Sequence, residues 1–153
     1  MLSATSEYAL RAMANLAPSI KGEPVLARKL SAEAGVSLTY LSKILGTLTK
    51  AGILQASRGR NGGYRLTRAA EQISLIDVVE LFDGVKAKPD CLFGGGRECS
   101  DDNPCSAHEA FKRVRQEYID FLETTTIADI AGPAYADGAP ADGLPPAEAE
   151  GWK

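Results

Sequence analysis

Ser37-Leu-Thr-Tyr-Leu-Ser-Lys43-Ile-Leu-Gly-Thr-Leu-Thr-Lys50-Ala-Gly-Ile-Leu-Gln-Ala-Ser-Arg58-Gly-Arg60-Asn-Gly-Gly-Tyr64-Arg-Leu-Thr67 carries two periodicities back to back. In its first half Leu38, Leu41, Ile44, Leu45 and Leu48 recur at helical spacing, with Ser37 as N-cap and Gly52 as stop. That pattern predicts a helix over residues 37–51. In the second half Leu54 and Ala56, then Tyr64 and Leu66, alternate with polar neighbours around a Gly-rich turn at 59–63. Such alternation predicts a half-buried hairpin of strands 53–58 and 64–67. Upstream, Pro24 precedes a short helix over 26–34 that Gly35 ends, and a first helix over 3–17 aligns Ala9, Leu10, Met13, Leu16 and Ala17.

Helix, Gly-containing turn, helix and hairpin make a winged helix-turn-helix. The second helix of the pair turns Thr39, Lys43, Thr47 and Lys50 outward, with Tyr40 at the margin. Ser37, Thr39 and Tyr40 at its N-terminus are candidates for reaching base edges in a major groove, with Lys43 one turn on. Arg58 and Arg60 at the wing tip, backed by Arg65 and Arg68, suit a minor groove or phosphates. Charge supports this reading. The net −3 hides ten Lys/Arg against three Asp/Glu in residues 1–70, and seven against 17 in residues 71–153. A module at +7 meets a polyanion; a remainder at −10 does not.

In the acidic half, Ser74-Leu-Ile-Asp77 is a capping signature for a helix over 75–82 before Asp83-Gly84. Residues 87–105 read as a loop holding Pro89, glycines 94–96 and Asp101-Asp-Asn-Pro104. Ser106-Ala-His-Glu109 reads as a second capping box that launches a long helix to Thr124. Ala107, Phe111, Val114, Tyr118 and Phe121 form a coiled-coil-like stripe on it, with Leu122 alongside. The stripe suits pairing with a second copy, and a twofold dimer matches a palindromic operator. Thr126-Ile-Ala-Asp129 caps one last turn, and residues 131–153, rich in Ala, Pro, Gly and acidic groups, are expected to be disordered.

The chain's only cysteines and only histidine fall within 18 of its 153 residues, as Cys91, Cys99, Cys105 and His108. No apolar run approaches membrane-spanning length and no secretory signal is visible, so the thiols read as cytoplasmic metal or redox chemistry, not disulfides. The spacing C-x7-C-x5-C-x2-H lacks the close pairs usual in structural zinc sites. A loop so spaced can wrap something larger than one ion, and glycine N–H groups can donate to its sulfurs. An iron–sulfur cluster fits best; a zinc ion and three oxidisable free thiols are the alternatives.

Over residues 1–130 the chain resembles the IscR/NsrR/RirA-type winged-helix transcriptional regulators. The matching segments are Glu7-Tyr-Ala-Leu-Arg11, Val36-Ser-Leu-Thr-Tyr-Leu41, Lys50-Ala-Gly-Ile-Leu54, Arg58-Gly-Arg-Asn-Gly-Gly-Tyr64, and the three-cysteine loop before a long helix. The resemblance implies a homodimer whose long C-terminal helices cross, with one iron–sulfur cluster (2Fe–2S or 4Fe–4S) in each subunit. It implies that loss, oxidation or redox change of the cluster alters affinity for double-stranded DNA. Members sense nitric oxide, oxygen stress, iron supply or cluster demand. Matched residue by residue, Cys91, Cys99 and Cys105 are the cluster ligands. IscR-like members take the fourth ligand from a histidine three residues after the last cysteine, here His108. NsrR-like members take it from an acidic residue near the start of the partner subunit's first helix, here Glu7. Glu109 is a third candidate, and the x7 gap is shared with RirA-like members.

The expected architecture is therefore mainly α with a small β-hairpin: a winged helix-turn-helix over 1–84, a cluster loop over 85–105, a dimerisation helix and terminal turn over 106–130, and a tail over 131–153. The expected function is a cluster-gated regulator, in the sense of a repressor. A zinc- or thiol-based regulator on the same fold is the alternative, and an iron–sulfur electron-transfer protein a more distant one, since a redox carrier needs no arginine-rich wing. No nucleophile–base arrangement surrounds the histidine and no phosphate-binding glycine motif is present, which speaks against an enzyme.

Overall fold

The computed structural model of the chain describes residues 2–18, 22–59, 62–86, 91–92 and 99–131. Arg60, Pro89, glycines 94–96 and the tail from residue 132 onward lie outside the described residues. Helix α1 (Ala4–Leu16) starts where the Ser3 hydroxyl accepts from Ser6 N–H at 3.2 Å. Helix α2 (Ala27–Ala34) ends at Gly35 with φ 67°, a left-handed turn that costs a glycine little. It leads directly into α3 (Leu38–Lys50), capped by the Ser37 hydroxyl accepting from Tyr40 N–H at 3.3 Å. Strands β1 (Leu54–Ser57) and β2 (Gly63–Leu66) pair antiparallel, Leu54 opposite Leu66 and Ser57 opposite Gly63. A 3-10 turn (Ala70–Gln72), α4 (Leu75–Asp83), α5 (His108–Thr124) and α6 (Ile127–Ile130) complete the order. The capping boxes expected at Ser74/Asp77 and Thr126/Asp129 both form.

Helix α1 is the centre of the packing. Ala9, Ala12, Met13, Ala14 and Leu16 are buried on it, against α2, α3, α4, α6 and β2. The core continues through Leu30, Leu41, Leu45, Leu48, Leu54, Ile73 and Val78 and reaches Leu122 and Ile127. The chain's last described turn is thus a structural part of the same core. It is held there by backbone pairing of Ser74 with Thr126, in which Leu75 N–H donates to the Thr125 carbonyl at 2.9 Å and Ile127 N–H to that of Ile73 at 2.8 Å.

Four sequence expectations change. Leu38, expected in the buried stripe of α3, is 37% exposed, because residues 37–40 all stand clear of the core as the protruding first turn. Ala56 is exposed, since only Leu54 of β1 reaches the core, while the hairpin's other inward side chains, Tyr64 and Leu66, come from β2. Ser106 does not cap α5. Cys105 carbonyl accepts from His108 N–H at 3.0 Å, so a turn occupies 105–108 and Ala107 becomes the N-cap, without a side-chain cap. The stripe on α5 also divides: Val114 and Phe121 are 63% and 51% exposed, while the face packed inward carries His108, Ile119 and Leu122.

One pairing had no sequence signal. Val25 and Tyr64 exchange both backbone hydrogen bonds at 2.9 Å, fastening the wing to the entry of α2. Gly63 permits the approach, at φ 155°: a Cβ there would lie 2.4 Å from the Val25 carbonyl oxygen. Gly63→Ala is expected to lower unfolding stability by about 1–3 kcal/mol, and Ile127→Ala by about 2–5 kcal/mol. Urea denaturation measures both; an unchanged midpoint for Gly63→Ala would contradict the tight approach.

Candidate nucleic-acid interface and cysteine site

The protruding turn of α3 presents Ser37, Thr39, Tyr40 and Lys43 to solvent. Their side chains are not equivalent. Ser37 spends its hydroxyl on the cap. The Tyr40 hydroxyl lies 2.6 Å from Thr5 Oγ1, and its ring meets Tyr8 edge-on at 6.1 Å between centroids. Tyr40 is therefore steered by α1, whereas Thr39 and Lys43 are exposed. On the wing Arg58 is exposed, whereas Arg65 donates twice to Gln55 Oε1 (3.1 and 2.8 Å) and Arg68 is paired with Asp77 at 2.7 Å. The two arginines behind the tip thus brace the ribbon and tie it to α4; Arg60 lies outside the described residues.

The sulfur site forms where the loop meets α5. The Sγ atoms of Cys91, Cys99 and Cys105 all lie within 4.8 Å of one another, each half-buried and none in a disulfide. Cys105 N–H points at Cys99 Sγ (3.5 Å). The Ala107 backbone N–H lowers the pKa of the Cys105 thiol, helped by hydrogen bonds from Cys99 and Cys91. The Cys105 N–H pulls the Cys99 thiol the same way, yet burial and hydrogen bonds with Cys105 and Cys91 leave Cys99 raised overall.

His108 is only 2% exposed, not a solvated first-turn residue. Its Nδ1 lies 3.1 Å from Cys99 Sγ and its Nε2 2.9 Å from Asp101 Oδ1. Three thiols and an imidazole turned toward one of them form a donor set suited to a soft metal centre, so the residues present fit the group. Glu7 is half-buried on α1 and accepts from Arg11 at 2.5 Å; Glu109 is exposed, beside Asp101 and His108. Within one subunit the structure brings together the three cysteines and His108, and Glu7 is not among them. Thr5 and Asp101 were missed by sequence reasoning. Thr5 carries no local signal, but Asp101 could have been sought as a partner for a lone histidine.

Such a fold, with a basic winged module and a thiol site at the foot of a long helix, defines a winged-helix transcriptional regulator. Residues 2–133 match the Rrf2 family, described as iron-dependent transcriptional regulators, and the chain belongs to it. The HTH-type transcriptional regulator IscR of Vibrio campbellii is 30% identical over 129 residues, covering 84% of this chain and 76% of that protein. Protein aau3 of Rhizobium meliloti is 38% identical over 96 residues, a match that spans 62% of its length. Among solved structures, CymR (YrzC), the global cysteine regulator of B. subtilis, superposes with a TM-score of 0.71 at 25% identity, covering 86% of this chain and 95% of that one. Family membership implies DNA binding and a non-enzymatic role. Among the described residues no helix is long and apolar enough to cross a membrane.

Lys43→Ala should weaken binding to every DNA fragment the wild type retains by a similar factor, and flatten the dependence of log affinity on log salt by about 1. A mobility-shift titration at several salt concentrations reads this. A slope identical to wild type would remove Lys43 from the interface.

Proposed function

We propose that this Rrf2-family regulator is a homodimeric cytoplasmic repressor whose affinity for a palindromic operator is gated by an iron–sulfur cluster. The observation that carries this is the convergence of every cysteine and the only histidine of the chain at the start of α5. Cys91, Cys99 and Cys105 would hold the cluster, with His108 favoured over Glu7 of a partner copy as fourth ligand, because His108 already faces the sulfurs. When bound, the cluster supplies a centre that reacts with oxidants or nitric oxide and whose loss frees the thiolates.

The chain's own residues carry the consequence onward. Holding Cys99 and Cys105 together fixes the turn from which α5 starts. On α5, Arg115 donates to the carbonyls of Val85 (3.0 Å) and Lys86 (3.2 Å), just past the end of α4. At that end Asp83 accepts from Ser3 N–H at 3.0 Å, and two residues along, Thr5 bonds the Tyr40 hydroxyl of the reading helix. A shift at the foot of α5 is thus coupled to α1 and α3, and the population of the binding-competent arrangement follows it. Exposed Val114 and Phe121 on α5 support the dimer, as an apolar face that is uncovered among the described residues.

A second reading has its own support. Sulfurs within 4.8 Å of one another suit a single ion, because zinc–thiolate bonds of about 2.3 Å in a tetrahedron set sulfurs about 3.8 Å apart. A zinc- or thiol-based switch on the same site follows from that spacing.

Anaerobic purification followed by metal and sulfide analysis decides between them. Iron with acid-labile sulfide, and visible absorbance lost in each of Cys91→Ala, Cys99→Ala and Cys105→Ala while far-UV dichroism persists, is the expected result. Stoichiometric zinc without sulfide favours the second reading; visible absorbance retained in all three variants contradicts the cluster ligand set, and zinc content retained in all three contradicts the zinc one. The double variant Val114→Glu/Phe121→Glu should sediment as a monomer and lose operator binding; a persistent dimer would relocate the interface.

A further inference from the structure

His108 is buried, and a buried imidazole needs a partner at each nitrogen. Its neighbours are unequal. On the Nε2 side stands Asp101 Oδ1 at 2.9 Å; on the Nδ1 side stands Cys99 Sγ at 3.1 Å. An ionised carboxylate only accepts, so the bond to Asp101 requires a proton on Nε2. In the neutral ring that leaves the Nδ1 lone pair directed at the sulfurs. Lys112 Nζ lies 2.6 Å from the same Asp101 oxygen, which keeps the carboxylate charged and aimed. His108 and Lys112 stand four residues apart on α5, hence on one face, and Asp101 reaches both from the loop.

We propose that Asp101, oriented by Lys112, is a positioning residue that locks His108 in its Nε2–H tautomer and so dedicates Nδ1 to the three-sulfur site. The proposal deepens the metal-centre reading by naming which nitrogen faces the metal and what holds it there. A carboxylate behind a ligating histidine fixes ring orientation and raises the basicity of the facing nitrogen. Asp101 does this from an exposed position: its side chain is 70% accessible and can be replaced without opening the core. The same bridge clips residues 99–105 to the first two turns of α5. The loop is thereby fastened to the helix by side chains as well as by whatever the thiols hold.

Because His108 is the only histidine, one imidazole signal reports the whole question. The full-length chain, labelled with nitrogen-15 histidine, reduced and stripped of metal, is compared with Asp101→Ala and Asp101→Asn at pH 8. The wild type should show one protonated Nε2 and one unprotonated Nδ1. Asp101→Ala should collapse the two shifts toward the average of exchanging tautomers. Zn2+ is then titrated against a chromophoric chelator, where Asp101→Ala should weaken binding about 10- to 100-fold. Conversely, an Nδ1–H tautomer or an imidazolium in the wild type, or identical nitrogen shifts in wild type and Asp101→Ala, would overturn the assignment. Equal Zn2+ affinity with an altered tautomer would also overturn it, by showing that Nδ1 does not serve the metal. The tautomer is read without any cluster, so a chain that purifies free of iron fails the gating proposal and leaves this one standing or falling on its own result.

Discussion

Burial of α1 on nearly every side is the constraint from which the rest follows. Five elements pack on one 13-residue helix, and they can do so only because Ala9, Ala12 and Ala14 let their backbones approach. A larger side chain at these enclosed positions would have to displace a packed neighbour, and overpacking of that kind costs about 1–3 kcal/mol. The helix is the common surface on which α3, the wing and the C-terminal turn are registered against each other, and its N-terminal residues touch both the end of α4 and Tyr40.

Much of this was legible in the sequence because helix ends are written locally. Ser3, Gly35, Ser37, Ser74, Gly84 and Thr126 each stop or start a helix through atoms within a few residues. The hairpin and the order of elements followed from the same local chemistry. What was not legible depended on distant backbone. Nothing in Pro24-Val25 announces a partner in Tyr64, since a single backbone pair uses no side chain. The exposure of Leu38 and Ala56 likewise depends on where the core stops. A hydrophobic period marks a face without saying how far its cover extends.

At the thiol site the sequence named the donors and left their arrangement open. Spacing could set Cys91, Cys99, Cys105 and His108 in one stretch, and the structure closes them into one cage with the imidazole inward. The expected Ser106 cap was the instructive error. The motif was present, but the chain uses residues 105–108 for a turn that carries His108 under the loop, and that tertiary demand outweighed a local preference. Asp101 escaped notice because a carboxylate in an Asp-Asp-Asn-Pro run looks like solvent-facing loop chemistry until the helix beside it is known.

The pairing of Ser74 with Thr126 has a mechanical meaning. It clamps α5 at its C-terminal end, where Leu122 and Ile127 are sunk in the core, whereas the other end rests on the thiol-bearing loop. Seventeen residues at about 1.5 Å each make a rod of about 25 Å, sunk in the core at its far end and tied by Arg115 near its middle to the residues after α4. The thiols sit at the end of the rod farthest from its core anchor, and the exposed Val114 and Phe121 lie between the two.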